Sequence, residues 1–550
     1  MAQASDHRGG TFLLGAPGEV LSPERFSDQQ LLIAQTAERF AQEEIAPAGE
    51  QIERRDFAAV RALLRRAGEL GLTGVEVPEE FGGQGLDFAA SAIVADHLAI
   101  QGSFSVAFGA HAGIATLPLV FFGSEEQKRR YLSKLASSEW IGAYALSEAG
   151  SGSDALAMRT RAERLPDGSY RLNGEKMWIS NAGFADLFTV FAKLNGKAAA
   201  FLVEASAEGM STGAEEHKMG IHGSSTRPVL LHDVRVGADC VLGVEGEGAH
   251  IAFQILNVGR LKLGAACIGG GRNCLREAVA YAKQRHAFGK PIAEFELIRE
   301  HVARMATELF AAESVVYRTV GMMDSIHRLD EFAMECSIVK VHASECLDDV
   351  VDRAVQIHGG NGFVSGNLAE QAYRDARVNR IFEGTNEINR MLLTGMALRR
   401  AQKGTLPLRN AVEEVIGAML GPAQVYPAAE QARRAALLLT GLAVQRFGEA
   451  LEQRQVLLAG LADLMIAVYV LQATVARIPD GLMTRVIASR MLDRVDVIAR
   501  RLLAGLSSGD ELRTQAAWLR RLLKRDPVDV GSLEQQIAER VLDRGGYVAV

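Results

Sequence analysis

The chain has 550 residues, of which 48% are hydrophobic and 23% charged, a composition typical of a globular protein with several domains. A net charge of −7 and a pI of about 6.0 argue against a nucleic-acid-binding protein, because no block of Lys and Arg supplies the charge density that phosphate neutralisation requires. Five cysteines without a Cys-x-x-Cys pair favour free thiols in a reducing compartment over a disulfide framework or a metal site.

We expect no secretory or organelle-import signal at the start of the chain. Residues 1–20 show neither a basic start followed by an apolar run nor an Arg- and Ser-rich composition. The longest apolar runs, such as residues 464–471, are far shorter than the roughly 20 residues that span a bilayer. We therefore expect a cytoplasmic location.

Residues 1–139 predict an N-terminal helical domain. Apolar residues recur at spacings of three and four in residues 27–72 and again in residues 87–139. The intervening residues 76–86 contain Pro and several Gly, and they are predicted to form a loop.

Residues 140–245 predict a middle β domain, either a barrel or a sandwich. Alternating runs surround a Pro-Asp-Gly-Ser turn at residues 166–169. Residues 187–192 and 199–203 have the composition of strands.

Helical spacing returns in residues 246–400, which predict a four-helix bundle. One long helix there keeps a single apolar face through Ile298, Val302, Met305 and Leu309. A linker at residues 401–428, marked by Gly and Pro, leads to an additional C-terminal helical domain at residues 429–550. The predicted fold class is therefore α+β, mostly α.

One carboxylate stands out in residues 380–387, Arg-Ile-Phe-Glu-Gly-Thr-Asn-Glu. Glu383 follows Ile381 and Phe382, and a carboxylate that such neighbours desolvate has its pKa raised towards the range of a general base. The Gly-Thr pair after it can open a helix, so Glu383 can also be a residue that complements the helix dipole. The tripeptide alone leaves both roles open.

Residues 150–155, Gly-Ser-Gly-Ser-Asp-Ala, match the loose dinucleotide-binding pattern G-x-G-x-x-A. That pattern needs a helix after it, whereas the sequence from Met158 onward is strand-like, so we expect no Rossmann site. The glycines can still bring backbone N–H groups to an anion, and the hydroxyls of Ser151 and Ser153 add donors. The alternative is an ordinary loop.

Four motifs accompany the Glu383 octapeptide in a fixed order. They are Tyr-Ala-Leu-Ser-Glu-Ala-Gly-Ser-Gly-Ser-Asp at 144–154, Asn-Gly-Glu-Lys-Met-Trp-Ile-Ser at 173–180, Arg-His-Ala-Phe-Gly at 285–289 and Gln-Ile-His-Gly-Gly-Asn-Gly at 356–362. In this order and at these intervals they resemble the acyl-CoA dehydrogenase family. The resemblance extends from about residue 25 to residue 400.

The resemblance implies a bound FAD that two sets of residues hold. The resemblance assigns the first set to FAD binding: Leu146, Ser147, Gly152, Ser153, Trp178, Ser180, Thr385 and Glu387. The second set reaches the FAD of a neighbouring subunit: Arg285, Phe288, Gln356, Gly359 and Gly360. A monomer would then have an incomplete cofactor site, which implies a homo-oligomer, with a dimer favoured.

Two of these assignments compete with simpler roles. Trp178 by itself is a typical core aromatic, and only its motif favours a place beside the flavin ring. Arg285 and Phe288 are expected at i and i+3 at the end of a helix closed by Gly289, where a plain C-terminal cap is the alternative.

The reaction that the resemblance implies is removal of the pro-R α-proton of an acyl-CoA by Glu383 while a β-hydride passes to the flavin, which leaves a trans-2-enoyl-CoA. The developing enolate needs donors at its oxygen, and the family supplies the backbone N–H of the catalytic Glu and a ribityl hydroxyl of FAD. Some relatives carry the base immediately before the Arg that matches Arg260, but this chain has Gly259 there.

The resemblance also implies four residues that contact the substrate: Ser153, Asn257, Arg260 and Gly384. Arg260 can orient the Glu383 loop or the CoA portion, and a buried ion pair is its alternative role. Asn257 replaces the Asp of several relatives, and Glu387 replaces a Gln, so these two contacts depart from the family pattern.

The branch of the family is predicted from residues 218–225, residues 256–260 and the extra C-terminal domain, which look like the very-long-chain dehydrogenases. Small residues in 104–114 can leave room for a long acyl chain or serve tight helix packing. Electrons would pass to an electron-transferring flavoprotein in fatty acid β-oxidation. An oxygen-using acyl-CoA oxidase and a non-catalytic scaffold or assembly protein of the same fold are the alternatives.

A membrane contact is a further hypothesis from the same branch, in which a segment at the start of the extra domain is associated with attachment. Residues 409–420 place Val412, Val415, Ile416 and Leu420 at helical spacing, although Glu413 and Glu414 weaken attraction to an anionic surface. This would put the protein at the inner face of a membrane.

Overall fold

The computed structural model describes residues 8–326, 328–422 and 424–550. Its residues form two compact units, each drawn from stretches that are distant in sequence. The first unit contains Phe26–Gly270 and Gln371–Gly384. The second contains the described residues up to Arg25, Gly271–Glu370 and Thr385–Val550.

Helices form the start of the first unit, as the sequence predicts. They are α1 (Asp28–Phe40), α2 (Gly49–Glu53), α3 (Phe57–Glu69), α4 (Phe88–His97), α5 (Gly102–Phe108), α6 (Leu117–Phe122) and α7 (Glu125–Ala136). Ser27 and Ser124 begin α1 and α7 with capping boxes, in which each hydroxyl accepts an N–H of the first turn. The loop predicted at residues 76–86 holds one 3₁₀ turn, Glu79–Phe81, and Gly109–Ala115 between α5 and α6 is π-helical.

The middle of the first unit is one eight-stranded sheet. Its strands are β1 (Gly142–Ala145), β2 (Arg161–Arg164), β3 (Tyr170–Ser180), β4 (Leu187–Leu194), β5 (Lys197–Glu204), β6 (Met210–Thr212), β7 (Thr226–Val236) and β8 (Val241–Leu242). The pairing order is β6-β7-β3-β2-β4-β5-β8, and β1 pairs with β4 in parallel. The strands predicted at residues 187–192 and 199–203 are β4 and β5, and they pair antiparallel in full register.

Helix α8 (Gly248–Gln284) follows the sheet, and its residues up to 270 belong to the first unit. That unit is completed by the end of α12 (Leu368–Ala376) and by a 3₁₀ turn, Arg377–Arg380, which leads to Glu383.

Among the described residues of the second unit, the strands are β9 (His286–Ala287) and β10 (Lys290–Pro291), which form a hairpin, and the other regular elements are helical. Besides parts of α8 and α12, its helices are α9 (Glu296–Ile326), α10 (Ala333–His358), α11 (Gly360–Phe363), α13 (Asn386–Gln402), α14 (Leu408–Leu420), α15 (Ala428–Phe447), α16 (Gln455–Arg477), α17 (Leu482–Leu506), α18 (Gly509–Leu522) and α19 (Val530–Arg544). Val302, Met305 and Leu309 on α9 are fully buried, so the predicted apolar face is a core face.

Three helical stretches among the described residues are long and apolar enough to cross a membrane by length and composition: Gly102–Phe122, Gly248–Gln284 and Gln455–Arg477. The expectation that no apolar stretch approaches this length was therefore wrong. Between 67% and 72% of each apolar window is buried within the protein, as in core helices.

Candidate active site

Glu383 adopts a backbone conformation that glutamate rarely takes. Its φ is +56°, and that of Gly384 is +80°, so two consecutive residues lie in the left-handed region. This costs a residue with a Cβ roughly 1 to 2 kcal/mol, and such strain persists where surrounding contacts hold it. The strained pair immediately precedes Thr385, whose hydroxyl accepts the N–H of Ile388 and begins α13, as the sequence predicted.

Arg260 holds this strained segment from α8. Its Nε donates to the carbonyl oxygen of Glu383 at 3.1 Å, and its Nη1 donates to Oδ1 of Asn257 at 2.9 Å. Arg260 and Asn257 are both only 4% exposed. Of the roles left open for Arg260, orientation of the Glu383 loop is therefore the one that the contacts support.

Gly259 gives the Glu383 carboxylate its space. A Cβ on Gly259 would lie 2.8 Å from Oε2 of Glu383, 3.0 Å from its Cδ and 3.1 Å from Cγ2 of Ile114. A residue larger than glycine at position 259 is therefore incompatible with the present position of the Glu383 carboxylate. The glycine that cannot serve as a base is thus also the residue that leaves room for the carboxylate of Glu383.

Replacing Gly259 with Ala is expected to displace the Glu383 carboxylate, because the added methyl group would overlap Oε2. A displacement of about 1 Å can cost about 10²-fold in rate. Stopped-flow measurement of flavin bleaching by an acyl-CoA would check this, with Gly417→Ala as a control on α14, where a Cβ meets nothing within 4 Å. An unchanged bleaching rate in the Gly259 variant would contradict this account of the packing.

The neighbours of Glu383 differ in part from those that the sequence suggested. Ile381 is 52% exposed, so it shields the carboxylate less than expected. Tyr144 on β1 is buried, and both burial and the negative charge of Glu383 raise the pKa of its phenol well above the usual value of 10. The neutral phenol of Tyr144 and the side chain of Ile114 therefore lie near the Glu383 carboxylate, where Ile381 was expected to shield it.

The loop of residues 146–153 is held by a buried ion pair. Lys176, with no exposed surface, places Nζ 2.8 Å from Oε1 of Glu148 and also donates to the carbonyl of Leu146 at 3.1 Å. Burial alone would raise the pKa of Glu148, but hydrogen bonds from Lys176, from Thr160 and from the backbone N–H of Arg159 hold it at about 2. The sequence analysis missed this pair, although a Lys inside the strand motif at residues 173–180 was the available signal.

The tip of this loop presents glycines and Ser153 outward. Gly152 and Ser153 are exposed, and a Cβ on Gly152 would meet nothing within 4 Å. The hydroxyl of Ser151, however, donates to the carbonyls of Asp154 and Ala155, so the expectation that it serves an anion was wrong. A 3₁₀ turn and strand β2 follow, so the prediction that this is no Rossmann site is confirmed.

Trp178 is not a core residue. It lies at an irregularity of the β3–β7 pairing, with φ of +59°, and 53% of its surface is exposed. The N–H of Met177 donates to the carbonyl of Ser147 at 2.9 Å, which joins β3 to the 146–153 loop, and Ser180 pairs with Thr226 two residues further along β3. The structure thus links Leu146 and Ser147 to strand β3, which carries Trp178 and Ser180, and leaves the indole of Trp178 half exposed.

In the second unit, Arg285 and Phe288 are not on a helix, which corrects the prediction. Helix α8 ends at Gln284, and Phe288 and Gly289 are the turn residues of the β9–β10 hairpin, with φ of +54° and +83°. Two positive φ values are what a type I′ turn requires. Phe288 is consequently 96% exposed at the hairpin tip.

Gln356, Gly359 and Gly360 lie at the end of α10, near the same end of α8. The rings of Tyr281 on α8 and His358 on α10 stack at 4.4 Å. Gly359 has φ of +58°, and a Cβ on it or on Gly360 would meet nothing within 4 Å, so both backbones are open to a ligand.

At the start of α13, Thr385 caps the helix and Glu387 is exposed in the first turn. A hydrogen bond from its own backbone N–H lowers the pKa of Glu387. Asn386, between them, is buried and accepts from Nζ of Lys340 at 2.7 Å, a contact that fixes the helix start and that the sequence analysis missed.

Models of the acyl-CoA dehydrogenase family match most of the chain. The N-terminal domain model matches residues 27–139, the middle domain model 143–234, and two C-terminal domain models 246–398 and 431–521. A probable acyl-CoA dehydrogenase of Bacillus subtilis (strain 168) is 41% identical over 99% of each chain.

The crystal structure of an acyl-CoA dehydrogenase complexed with FAD from Bacillus anthracis is 41% identical, with a TM-score of 0.96 over 98% of this chain and 100% of that one. The mitochondrial very long-chain specific acyl-CoA dehydrogenase of Homo sapiens is 39% identical over 68% of this chain and 59% of its own length.

Fold and site together define a flavoprotein oxidoreductase with helical, β and helical domains and an extra C-terminal helical domain. The chain belongs to the acyl-CoA dehydrogenase family. It is an FAD-dependent enzyme that dehydrogenates acyl-CoA. The residues present fit the cofactor, because an exposed indole suits a flat ring system, and open glycines with Ser153 suit a pyrophosphate.

Proposed function

We propose that the protein oxidises long-chain fatty acyl-CoA to trans-2-enoyl-CoA in β-oxidation and passes the electrons to an electron-transferring flavoprotein. The observation that carries the proposal is the Glu383 carboxylate in the space left by Gly259, with its backbone held by Arg260. The long-chain substrate and the acceptor go beyond the family assignment and rest on the likeness to the very-long-chain branch.

Each group has a defined task in this reaction. Glu383 takes the α-proton, and its backbone N–H donates to the thioester oxygen as negative charge develops there. Arg260 holds the next peptide group along the chain, through the carbonyl oxygen of Glu383, and so fixes the backbone on the other side of the Glu383 Cα. Bound FAD supplies the acceptor for the hydride that leaves the β-carbon, so a carbon–carbon double bond forms between the two positions.

Small residues in 104–114 support a chamber for a long acyl chain. Gly109 is partly exposed, and a Cβ on it would meet nothing within 4 Å, whereas a Cβ on Gly113 would meet only Cδ of Lys262, at 3.5 Å. Ile114, on the same π-helical segment, lies beside Gly259. Open space therefore adjoins the segment that borders the carboxylate.

Anaerobic titration of the yellow protein with palmitoyl-CoA and octanoyl-CoA tests the proposal. We expect palmitoyl-CoA to bleach the flavin faster, because the longer chain buries more apolar surface at about 25 cal/mol per Å². Faster bleaching by octanoyl-CoA would contradict the long-chain assignment. Reoxidation by oxygen at the rate seen with an electron-transferring flavoprotein would instead identify an oxidase, and failure of any acyl-CoA to bleach bound flavin would favour a scaffold.

A homo-oligomer, with a dimer favoured, completes the proposed cofactor site. Phe288 at the hairpin tip, Arg285 beside it, and Gln356, Gly359 and Gly360 at the end of α10 are all exposed within their own unit. We assign these residues to the FAD of a neighbouring subunit. Phe288→Ser should lower the FAD content of the purified protein, which absorbance at 450 nm relative to 280 nm would measure.

We further propose a cytoplasmic protein that touches the inner face of a membrane. The face of α14 with Val415 and Met419 is buried, so contact would fall to Leu420 and Val425, which are 76% and 79% exposed. In liposome co-sedimentation, Leu420→Ser/Val425→Ser should bind less than the wild type. Val456→Ser/Val497→Ser, at other exposed valines, is the matched control; equal binding by all three proteins would contradict the proposal.

A further inference from the structure

The segment that ends at Glu383 is held at a second point, eight residues earlier, by Asp375. This residue lies near the end of α12 and is 8% exposed. Its Oδ1 accepts a hydrogen bond from the backbone N–H of Ile221. From Asp375 the chain continues through one 3₁₀ turn, Arg377–Arg380, to the strained Glu383.

The partner of Asp375 is itself strained. Ile221 has φ of +49°, which a β-branched residue adopts only where contacts impose it. Its side chain is 7% exposed, and its N–H is the group that the Asp375 carboxyl binds. A strained residue is therefore found at each end of the segment from Asp375 to Glu383. Ile221 binds Asp375 at one end, and Glu383 is itself the other end.

Two glycines allow this close approach. A Cβ on Gly220 would lie 2.6 Å from the carbonyl carbon and oxygen of Arg374, and a Cβ on Gly102 would lie 2.9 Å from Oδ2 of Asp375. Arg374 also donates from Nη1 to the carbonyl of Met219 at 3.1 Å. The backbone of residues 374–375 thus packs directly against the 219–221 loop.

Several charged and titratable groups surround this anchor. Glu53 on α2 accepts from Gln101 and Ser103 and approaches His222 at 3.6 Å, while Lys218 and Arg374 are the cations on the loop and on α12. Burial is the largest effect on the pKa of Asp375, and together with the charge of Glu53 it raises that pKa to about 7. The hydrogen bond from Ile221 and the charge of Arg374 act in the opposite direction and lower it. The carboxyl group is therefore neutral in mildly acidic solution and ionises near neutrality.

We propose that Asp375 is a positioning residue for proton abstraction: its carboxyl group ties the segment that carries Glu383 to the backbone of Ile221. The neutral acid is the form that this site accommodates. Ionisation makes the carboxylate a stronger acceptor for the Ile221 N–H, but it also places a second negative charge near Glu53 in a buried cluster. Because the net shift of the pKa is upward, burial and Glu53 outweigh this hydrogen bond, so the anion favours release of the segment and lets Glu383 leave its position beside Gly259. The inference rests on the proposed function, since it concerns the same base.

Two substitutions separate positioning from simple stability. Asp375→Leu removes the acceptor at similar volume, whereas Asp375→Asn keeps an acceptor oxygen and cannot ionise. We expect Asp375→Leu to keep its FAD and its affinity for palmitoyl-CoA while flavin bleaching slows by about 10²-fold, the effect of a displacement of about 1 Å. Asp375→Asn should restore the bleaching rate to near the wild-type value at pH 6.

The pH dependence gives an independent readout. In the wild type the bleaching rate should decline as the pH rises through about 7, because the Asp375 anion forms. That decline should be absent from Asp375→Asn, and Glu53→Gln should move it to lower pH, because removing the like charge lowers the pKa of Asp375. These two variants test the inference even where Asp375→Leu does not fold.

The inference would be overturned if Asp375→Leu were bleached at the wild-type rate. It would also be overturned if the bleaching rate of Asp375→Asn declined with rising pH as that of the wild type does. Either result leaves the proposed function intact as long as the wild-type protein is bleached and Glu383→Gln is not. If no acyl-CoA bleaches the wild type, the proposed function itself fails.

Discussion

Glu383→Gln should abolish flavin bleaching by palmitoyl-CoA while the protein stays yellow and still binds the thioester. Gln has nearly the same shape and fills the space beside Gly259, but it cannot accept the α-proton. Loss of a general base costs about 10²- to 10⁴-fold in rate, so stopped-flow absorbance at 450 nm under anaerobic conditions would detect it.

The matched control for this substitution is Glu539→Gln. Glu539 is exposed on α19 and lies outside the predicted cofactor and substrate sets. Its replacement should leave the rate of bleaching close to that of the wild type. If Glu383→Gln retained the bleaching rate, position 383 would not hold the base, and the proposed function would need another carboxylate.

Lys176→Met should destabilise the protein and release FAD, because it leaves the Glu148 carboxylate buried without its cation. Lys176 has no exposed surface, and the side chain of Glu148 is 8% exposed. Removing one partner of such a pair typically costs about 3 to 5 kcal/mol. Urea unfolding would measure the loss of free energy of unfolding, and retained absorbance at 450 nm would measure cofactor binding.

The double variant Lys176→Met/Glu148→Gln is the control, since it removes both charges and should recover part of the stability. Lys403→Met, at an exposed lysine, provides the comparison. If Lys176→Met lost no more free energy of unfolding than Lys403→Met, the role of the ion pair would be contradicted.

The same pair predicts a pH dependence. The pKa of Glu148 is about 2 in the folded protein, below its ordinary value of 4.5. Its contribution to the free energy of unfolding is therefore present above about pH 4.5 and is lost as the pH falls towards 2. In acid titrations of stability, Glu148→Gln should show a shallower decline in that range than the wild type.

Much of the architecture follows from local sequence. Hydrophobic periodicity predicted the N-terminal helices, strands β4 and β5 and the buried face of α9, because the pattern of an amphipathic element reports which face packs. The Glu383 octapeptide and the motifs around Trp178 likewise predicted the family, which the comparisons confirm. The sequence also predicted that the helix of a Rossmann site does not follow Gly152, because the sequence after it is strand-like.

Predictions from the sequence were wrong at positions where the chain departs from common local preferences. Phe288 was expected on a helix, but it occupies a left-handed turn position that usually goes to Asn, Asp or Gly. Ile381 was expected to shield Glu383 because it is adjacent in sequence, yet it is half exposed. Adjacent side chains diverge, so neighbours along the chain are poor guides to neighbours in space.

By itself, then, the sequence determined the elements, their order and the family, and it predicted that Glu383 is the base. Only the tertiary structure decided what surrounds that base: Gly259 and Arg260 from α8, Tyr144 from β1 and the distant anchor at Asp375. The reason is the range of the forces involved. Helix and strand preferences act over a few residues, whereas the space for a carboxylate depends on packing between residues more than a hundred positions apart.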